Sequence, residues 1–375
     1  SSLDARLPPT QLLSAARFVS MEEHQLLRLA LLGFGAVNKT LLSLIQKKRE
    51  ALLERHRLEV ICVGASDSKG ATVQAEGLDM TALQEHKASG RSVASFAGGS
   101  SCAGAEAMLD LLGDEGYDIL VDSSPANVKD GGDGLKLVRR ALTDSKSAIL
   151  ANKAPLVLAI DELTELAGTG PAAWPPRLLY SATVCGGLPV LNAGRRDMGL
   201  TGADFTSVEG VFNSTSNYIL SQMGEGRSFD AALAEAQRLN IAEADPSLDV
   251  DGWDTAFKLV IITHAVLRQP ARLEDVKVEG VRAITPEMIA EARGRGEVYK
   301  LVASAKATEG GSWQLSVGPV AMPAGSFLAN IVGFEMGVVF NSDLFEVVSL
   351  KIDESSVVPT SAAVLRDILH CSGRH

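Results

Sequence analysis

The chain has 375 residues, which is too long for one ordinary domain and suits two. Its 46 acidic against 35 basic residues give a net charge of -11, which excludes the basic surface that nucleic-acid binding requires. No apolar run reaches the roughly 18 residues of a membrane span, so we expect no membrane partner. The cysteines follow no CxxC spacing and indicate a reducing compartment, with the cytoplasm as the expected location; they are Cys62, Cys102, Cys185 and Cys371.

Residues 1–26 are predicted to lie outside the fold. Residues 1–20 are rich in small polar side chains and contain Pro8-Pro9, and Met21 would serve as a natural start. A disordered or artificial extension is the first interpretation, and the remnant of an organellar transit peptide is the second. We therefore expect the fold to begin at residue 27.

The first half of the chain alternates strands with helices. Strands are predicted at 28–32, 58–65, 117–123 and 147–151, and helices at 36–48 and 134–143. This alternation indicates right-handed crossovers and a Rossmann-type, doubly wound parallel sheet, an α/β fold. We place the dinucleotide-binding domain at 27–160. Ligands of such sheets bind beyond the carboxyl ends of the strands.

From about residue 178 the pattern changes to that of an α+β domain. Strands are predicted at 178–184, 206–212, 313–317 and 347–352, and helices at 229–239 and 254–266. An open sheet covered by helices on one face would fit this order. We place this substrate-binding and dimerisation domain at 161–358, and expect residues 359–375 to pack back onto the first domain.

A glycine turn follows the first strand. Gly33-Phe34-Gly35 comes directly after the strand and is followed by the helical run that contains Ala36, Val37 and Lys39. This is the context of a dinucleotide fingerprint, in which the first glycine permits the turn and the second lets the pyrophosphate approach the helix N-terminus. Asn38 replaces the third glycine, so we expect the helix to sit further from the strand.

The end of the second strand bears on the choice between NAD and NADP. Asp67 is placed to bond a ribose hydroxyl, which would favour NAD. Lys39, Ser66, Ser68 and Lys69 are close enough in sequence to hold a 2′-phosphate instead. The sequence leaves both cofactors open.

An acidic block precedes a helix in the second domain. Five acids and one lysine fall between Glu243 and Lys258, and Pro246 and Gly252 keep the first part in a loop. Asp254 and Lys258 are then i,i+4 neighbours on one helical face. They form either a surface ion pair or, because the flanking residues are apolar, an acid/base pair at a cleft.

Lys153 ends a buried strand within Ala151-Asn152-Lys153-Ala154-Pro155. A lysine in this place is either solvated or presented to the ligand of the sheet.

Together these motifs make the chain similar to homoserine dehydrogenases. The resemblance covers nearly all of 27–369 and is carried by an ordered series of motifs: Gly33-Phe-Gly-Ala-Val, Leu150-Ala-Asn-Lys-Ala-Pro, Ala182-Thr-Val-Cys-Gly-Gly-Leu-Pro, Asn213-Ser-Thr-Ser-Asn-Tyr-Ile-Leu, the block from Glu243 to Lys258, Val278-Glu-Gly-Val-Arg-Ala-Ile-Thr and Pro359-Thr-Ser-Ala-Ala-Val. It implies reversible hydride transfer between NAD(P)H and L-aspartate 4-semialdehyde, which yields L-homoserine.

The resemblance also assigns roles to particular residues. Lys258 is the acid/base candidate at the reacting oxygen, Lys153 is the second candidate, and Asp254 assists them while binding substrate. The other implied substrate ligands are Glu243, which would bind the ammonium group, Asp249, Thr215 and Gly186. The implied cofactor ligands are Gly33, Gly35, Ala36, Val37, Asn38, Lys39, Asp67, Ser123, Ser124 and Lys153.

The family resemblance further implies a monovalent cation and a homodimer. The cation would be Na⁺ or K⁺ held by backbone oxygens of Val184, Gly186 and Leu188, although Ser181 replaces the acidic residue that often precedes this turn. The dimer would form by pairing the sheets of the second domains.

One segment departs from the family pattern. The loop before Pro359-Thr360 is rich in glycine in the family, whereas residues 353–358 of this chain contain none. Two alternatives therefore stay open: a related dehydrogenase that acts on another small hydroxy or semialdehyde substrate, and a catalytically inactive binding protein.

Overall fold

The computed structural model describes residues 24–168, 175–195, 199–200, 202–239 and 241–374. Residues 1–23 of the predicted extension at 1–26 lie outside the described residues, whereas Gln25 and Leu26 belong to β1, so the fold begins two residues earlier than predicted. The described strands, in chain order, are β1 Gln25–Leu32, β2 Leu58–Asp67, β3 Gly70–Val73, β4 Ser100–Cys102, β5 Ile119–Asp122, β6 Ser147–Leu150, β7 Leu178–Leu179, β8 Phe205–Val211, β9 Val276–Val278, β10 Glu297–Ala307, β11 Trp313–Pro323, β12 Glu335–Ser342 and β13 Glu346–Asp353.

The described α-helices are α1 Ala36–Lys47, α2 Arg49–His56, α3 Met80–Ala88, α4 Ala105–Leu112, α5 Gly132–Thr143, α6 Ala154–Ala167, α7 Val190–Gly194, α8 Ser214–Gly224, α9 Phe229–Arg238, α10 Ser247–Val250, α11 Trp253–Ala265, α12 Pro286–Gly294 and α13 Val358–Cys371. Every strand and helix predicted above is present near its expected position except the strand at 178–184. No helix within the described ranges is long and apolar enough to cross a membrane.

The first sheet has the predicted parallel, doubly wound form. Its described strands lie in the order β4-β3-β2-β1-β5-β6-β7, and β2, β1, β5, β6 and β7 run parallel. At one edge a tight hairpin joins β2 to β3, so these two strands pair antiparallel, and β4 then pairs antiparallel with β3. Strand β1 is an almost continuous apolar run, as expected for a strand in a sheet that helices cover on both faces.

The prediction of a second-domain strand at 178–184 is wrong. Only Leu178–Leu179 is extended, and this β7 pairs parallel with β6 in the first sheet. The chain then turns through a 3₁₀ segment, Ser181–Thr183, into the Gly186-Gly187 turn. Ser181 donates its backbone N–H to the Asp367 carboxylate at 2.8 Å, which takes this N–H away from any strand ladder.

The second sheet is open, as predicted. Its strands lie in the order β13-β12-β8-β10-β11-β9, and every described neighbouring pair is antiparallel except β11 with β9. Helices α8, α11 and α12 cover one face, where Val338 and Phe340 of β12 are fully buried. The alternate residue Val339 points to the opposite face, as the period of two in a strand requires.

The C-terminal helix α13 returns to the first sheet and packs against α1. Val364 and Ile368 join the core that β1, β2 and α1 form. Ser361 donates its hydroxyl hydrogen to the Val37 carbonyl oxygen in the first turn of α1 at 2.9 Å. The last helix therefore braces the start of the helix that follows the glycine turn.

Candidate active site

The glycine turn lies against the loop that follows β5. Gly33 has φ +80°, and a Cβ on it would lie 2.8 Å from Ser124 Cα, so a larger residue would have to displace that loop. Ser123 donates its hydroxyl hydrogen to the Gly33 carbonyl oxygen at 3.0 Å. A Cβ on Gly35, by contrast, would meet no atom within 4 Å. The turn thus leaves open space at the N-terminus of α1, which suits a pyrophosphate group.

Asn38 uses its side chain to link α1 to the strand before it. The side chain is fully buried, and its amide donates to the Gly33 carbonyl oxygen at 2.8 Å and to the Leu32 carbonyl oxygen at 3.3 Å. Its amide oxygen has no hydrogen-bond partner among the described residues. Asn38 therefore fixes the turn by hydrogen bonding, where a glycine would do so by close packing. Lys39, one residue on, is half-buried.

Asp122 connects two loops at the carboxyl edge of the sheet. Its buried carboxylate accepts hydrogen bonds from the Ser124 N–H at 2.9 Å and from the Asn152 amide at 3.0 Å. Burial raises the pKa of Asp122 to about 6, although these hydrogen bonds oppose the rise. Asn152 in turn accepts from the Ala154 N–H at 3.0 Å. The network fixes the backbone on both sides of Lys153.

Two lysines from distant segments share the carboxylate of Asp254. Lys258 Nζ lies 2.8 Å from Asp254 Oδ2, which confirms the i,i+4 pair on α11. Lys153 Nζ lies 3.4 Å from the other oxygen, Asp254 Oδ1, and comes from the end of β6. Lys258 is only 8% exposed, so this is not a surface ion pair. The carboxylate bridges the two ammonium groups.

Burial and mutual attraction determine the ionisation of this cluster. Burial by itself would lower the pKa of Lys258, but the negative charge of Asp254 outweighs burial and raises the pKa above its usual value. Burial would raise the pKa of Asp254, and the two lysines instead hold it well below its usual range. Both shifts favour the charged forms, so Lys258 and Asp254 form a buried ion pair.

The acidic loop and the end of β8 complete the surroundings of the lysines. Asn213 donates its amide hydrogens to Asp249 at 2.6 Å and to Asp254 at 3.0 Å, while its own oxygen caps α8. Lys258 donates to the Phe212 carbonyl oxygen at 2.5 Å. Burial, reinforced by the nearby charge of Asp254, raises the pKa of Asp249. The Asp254 carboxylate thus has partners from three segments of the chain: Lys153 after β6, Asn213 after β8 and Lys258 on α11.

Two predicted substrate ligands lie at the edge of this cluster. Thr215 is buried, and its hydroxyl donates to the Ile241 carbonyl oxygen at 3.2 Å, which ties α8 to the start of the acidic loop. Glu243 is exposed, and within the described ranges its carboxylate makes no hydrogen bond or ion pair. The structure does not bring Glu243 into contact with Lys258 or Asp254.

The Gly186-Gly187 turn meets the glycine-free segment. Gly186 has φ +54°, and a Cβ on it would lie 2.2 Å from a Glu354 carboxylate oxygen. Glu354 accepts from the Gly187 N–H at 3.0 Å and from the Thr360 hydroxyl at 2.5 Å. Val184 and Leu188, on either side of the turn, are buried. The segment before α13 therefore closes onto the turn through a carboxylate.

An acidic side chain reaches Ser181 from α13. Both the N–H and the hydroxyl of Ser181 donate to Asp367, which is fully buried. Burial raises the pKa of Asp367 to about 6. A carboxylate is thus present beside residue 181, although the sequence has serine there.

This arrangement defines a class of protein. A parallel sheet has a glycine turn and a lysine at its carboxyl edge, and the second domain adds a buried lysine–carboxylate pair. Together they describe a dinucleotide-dependent oxidoreductase.

Comparison with known proteins identifies the family. The homoserine dehydrogenase model matches residues 189–369. A homoserine dehydrogenase of Methanocaldococcus jannaschii is 31% identical over 91% of this chain and 97% of its own length. An NAD(+)-dependent homoserine dehydrogenase of Pseudomonas canavaninivorans is 32% identical over 92% and 95%. A crystal structure of a putative homoserine dehydrogenase from Archaeoglobus fulgidus has a TM-score of 0.77 at 30% identity and covers 91% of this chain and 98% of that one.

The chain therefore belongs to the homoserine dehydrogenase family, whose members are NAD(P)-dependent oxidoreductases acting on a CH–OH group. The interpretation as an enzyme, the Rossmann-type fold and the resemblance stated from the motifs are confirmed. The roles given to individual residues stay predictions.

Sequence reasoning missed several residues that shape the site. Asn213 follows the predicted strand at 206–212, and Asp122 lies near the end of the strand predicted at 117–123, so strand-end position was an available signal for both. No local pattern marks Glu354 or Asp367, because both acids reach the site only through the return of α13 to the first sheet.

Proposed function

We propose that this protein interconverts L-homoserine and L-aspartate 4-semialdehyde with NAD(P). The observation that carries the proposal is the buried cluster in which Lys153 and Lys258 share Asp254. A carbonyl oxygen that gains negative charge during reduction needs a nearby cation and then a proton, and a buried ammonium supplies both. The nicotinamide cofactor, when bound, supplies or accepts the hydride.

Each residue of the cluster has a distinct part in this proposal. Lys258 donates a proton to the substrate oxygen in the reductive direction and accepts it back during oxidation of the alcohol. Asp254 keeps Lys258 protonated and orients it, since it pairs with its Nζ at 2.8 Å. Lys153 adds a second positive charge from the side of the first sheet. Glu243, whose carboxylate has no partner among the described residues, is the proposed ligand of the substrate ammonium group.

The test is an assay of the purified protein. L-Homoserine should reduce NAD or NADP, and aspartate semialdehyde should oxidise the reduced cofactor. Other small hydroxy amino acids, assayed in parallel, test whether the substrate is a relative of homoserine. Absence of turnover with both cofactors across neutral and alkaline pH would overturn the proposal.

We also propose a monovalent cation at the turn of Val184, Gly186 and Leu188. The left-handed backbone of Gly186 and the nearby Glu354 carboxylate support this site. We expect the rate to be higher in sodium or potassium chloride than in choline chloride at equal ionic strength. Equal rates in all three salts would contradict the proposal.

We propose that a second copy of the chain covers the free face of the second sheet. This face carries apolar Val339 and Val347, and two acids and two lysines also line it, Glu209, Glu279, Lys277 and Lys306. A two-fold interface places a surface against itself, so a balance of charges and an apolar centre suit it.

Val347→Glu should convert the dimer to a monomer in light scattering, because it would bury two unpaired carboxylates at the interface. Val347 is 61% exposed in the single chain. Leu111→Glu is the matched control, since Leu111 is 60% exposed but lies on α4 of the first domain. A wild-type protein that is monomeric at micromolar concentration would refute the interface.

A further inference from the structure

The turn at 185–187 lies where the chain leaves the first sheet, and Glu354 lies where the chain returns to it. Strand β7 belongs to the first sheet, and β8, the next strand along the chain, belongs to the second. Strand β13 of the second sheet ends at Asp353, after which α13 packs against α1 of the first domain. The Gly187 N–H donates to the Glu354 carboxylate at 3.0 Å, so this side chain joins the two crossings.

The backbone of this turn is strained. Cys185 and Gly186 both have left-handed φ, +53° and +54°, and the Cβ of Cys185 makes this conformation costly. Residues other than glycine keep such a backbone where surrounding contacts hold it, often at active sites. The turn is also closely packed, because a Cβ on Gly187 would lie 2.4 Å from Pro359 Cβ. The turn therefore depends on outside contacts to keep its shape.

The C-terminal part of the chain supplies those contacts as two carboxylates. Asp367 of α13 accepts from the Ser181 N–H at 2.8 Å, on the N-terminal side of the turn. Glu354 accepts from the Gly187 N–H at 3.0 Å on the other side. Thr360, in the first turn of α13, donates its hydroxyl hydrogen to Glu354 at 2.5 Å, which fixes the half-buried carboxylate in place.

Cys185 contacts the carbonyl group that holds Lys258. Its Sγ lies 3.9 Å from the Phe212 carbonyl oxygen, and Lys258 Nζ donates to the same oxygen at 2.5 Å. Cys185 is only 1% exposed, and Phe212 is fully buried in the same core. Closely packed groups move together, so a displaced turn would also displace the Phe212 carbonyl.

We propose that Glu354 is a positioning residue for Lys258: it fixes the turn at 185–187, the turn fixes the Phe212 carbonyl, and that carbonyl directs the Lys258 ammonium group. The inference rests on the proposed function for the role of Lys258. A proton donor acts only within hydrogen-bond reach of the reacting oxygen, so a small displacement lowers the rate without preventing substrate binding. The glycine-free segment thus contributes a side chain to the site.

The first measurement is steady-state oxidation of L-homoserine. Glu354→Ala should lower kcat by about tenfold or more and leave KM within about threefold, because a misplaced proton donor affects the transition state. Glu354→Gln keeps an oxygen that accepts from the Gly187 N–H and should retain kcat within about threefold. Asp353→Ala is the matched control, since the Asp353 carboxylate is exposed and makes no hydrogen bond or ion pair within the described ranges. It should leave both constants unchanged.

A double-mutant cycle separates positioning from other roles. In the Lys258→Ala background, Glu354→Ala should lower the residual kcat by less than about twofold, because residues that act as a unit are not additive. The loss caused by Glu354→Ala alone should be the same in potassium chloride and in choline chloride. Losses that multiply in the double variant, a loss confined to potassium chloride, or a kcat of Glu354→Ala equal to wild type would each overturn the inference.

Thiol labelling of the native protein tests the turn without turnover. Iodoacetamide should label Cys185 at least about tenfold faster in Glu354→Ala than in wild type, because the turn opens locally, as peptide mass spectrometry would show. Cys62, fully buried in β2, is the internal control and should stay protected in both proteins. Equal protection of Cys185 would overturn the inference. Faster labelling in a protein that does not turn over homoserine would refute the proposed function and still support the hold of Glu354 on the turn.

A second variant covers the case in which labelling of Cys62 shows that Glu354→Ala has unfolded. Thr360→Val keeps the shape of the side chain and removes only the hydroxyl that donates to Glu354. It should lower kcat by about threefold or more and speed the labelling of Cys185. An unchanged kcat together with unchanged labelling would overturn the inference.

Discussion

Replacing Lys258 with alanine is expected to lower kcat by about 10²–10⁴-fold in both directions, the range that a general acid contributes. The variant removes the proposed proton donor, an ammonium group that Asp254 keeps charged inside the protein. Cofactor binding should be unchanged, because the partners of Lys258 among the described residues are Phe212 and Asp254, and neither is a predicted cofactor ligand. The measurement is steady-state kinetics together with cofactor titration.

A surface lysine provides the control for this variant. Lys136 pairs with Glu106 at 2.7 Å on the first domain, and both side chains are more than half exposed. Lys136→Ala should leave kcat and KM near wild type, because exposed pairs contribute little. If Lys258→Ala retained kcat within about tenfold, Lys153 would become the better candidate for the acid.

Asp254→Asn is expected to impair catalysis and stability together. The substitution leaves the buried ammonium group of Lys258 and the partly exposed one of Lys153 without their shared partner, and the loss of a buried partner costs about 3–5 kcal/mol in unfolding free energy. Because the pKa of Asp254 is depressed in the folded protein, its stabilising contribution is present above pH about 4 and is lost on further acidification. Wild type and variant should therefore converge in stability at low pH, as chemical denaturation would measure.

The pH dependence of the same variant tests the acid role. Without the negative charge of Asp254, burial dominates and the pKa of Lys258 falls. In the proposed mechanism, reduction of the aldehyde needs protonated Lys258, so its rate should decline as pH rises through that pKa. The decline should begin at lower pH in Asp254→Asn than in wild type, and an unmoved profile would contradict the role of Asp254.

A neighbouring acid gives the matched control for Asp254. Asp251 lies three residues earlier in the same block and forms an exposed ion pair with Arg282. Asp251→Asn should change the unfolding free energy by less than about 1 kcal/mol and leave the pH profile in place. Equal effects of the two variants would mean that the negative charge of the whole block, rather than the bridge between the lysines, matters.

Local patterns in the sequence determined much of the secondary structure of this protein and part of its candidate active site. The continuous apolar run of β1, the Gly33-Phe34-Gly35 turn and the helical spacing of α1 depend on residues close together in the chain, so periodicity and backbone preference suffice to predict them. The i,i+4 geometry of Asp254 and Lys258 is local in the same sense. The family could also be read from the ordered motifs.

Only the tertiary structure decided how distant groups share partners. Lys153 and Asp254 are about a hundred residues apart, and Asn213 reaches the same carboxylate from a third segment. Strand β7 pairs with β6 in the first sheet, and its own two residues do not predict this partner. The Asp67 carboxylate at the end of β2 accepts a hydrogen bond from Lys87 of α3. Hydrogen-bond partners at such separations follow from the packing of whole elements, and for that reason spacing along the chain predicts which residues are present at the site and not which acceptors remain available.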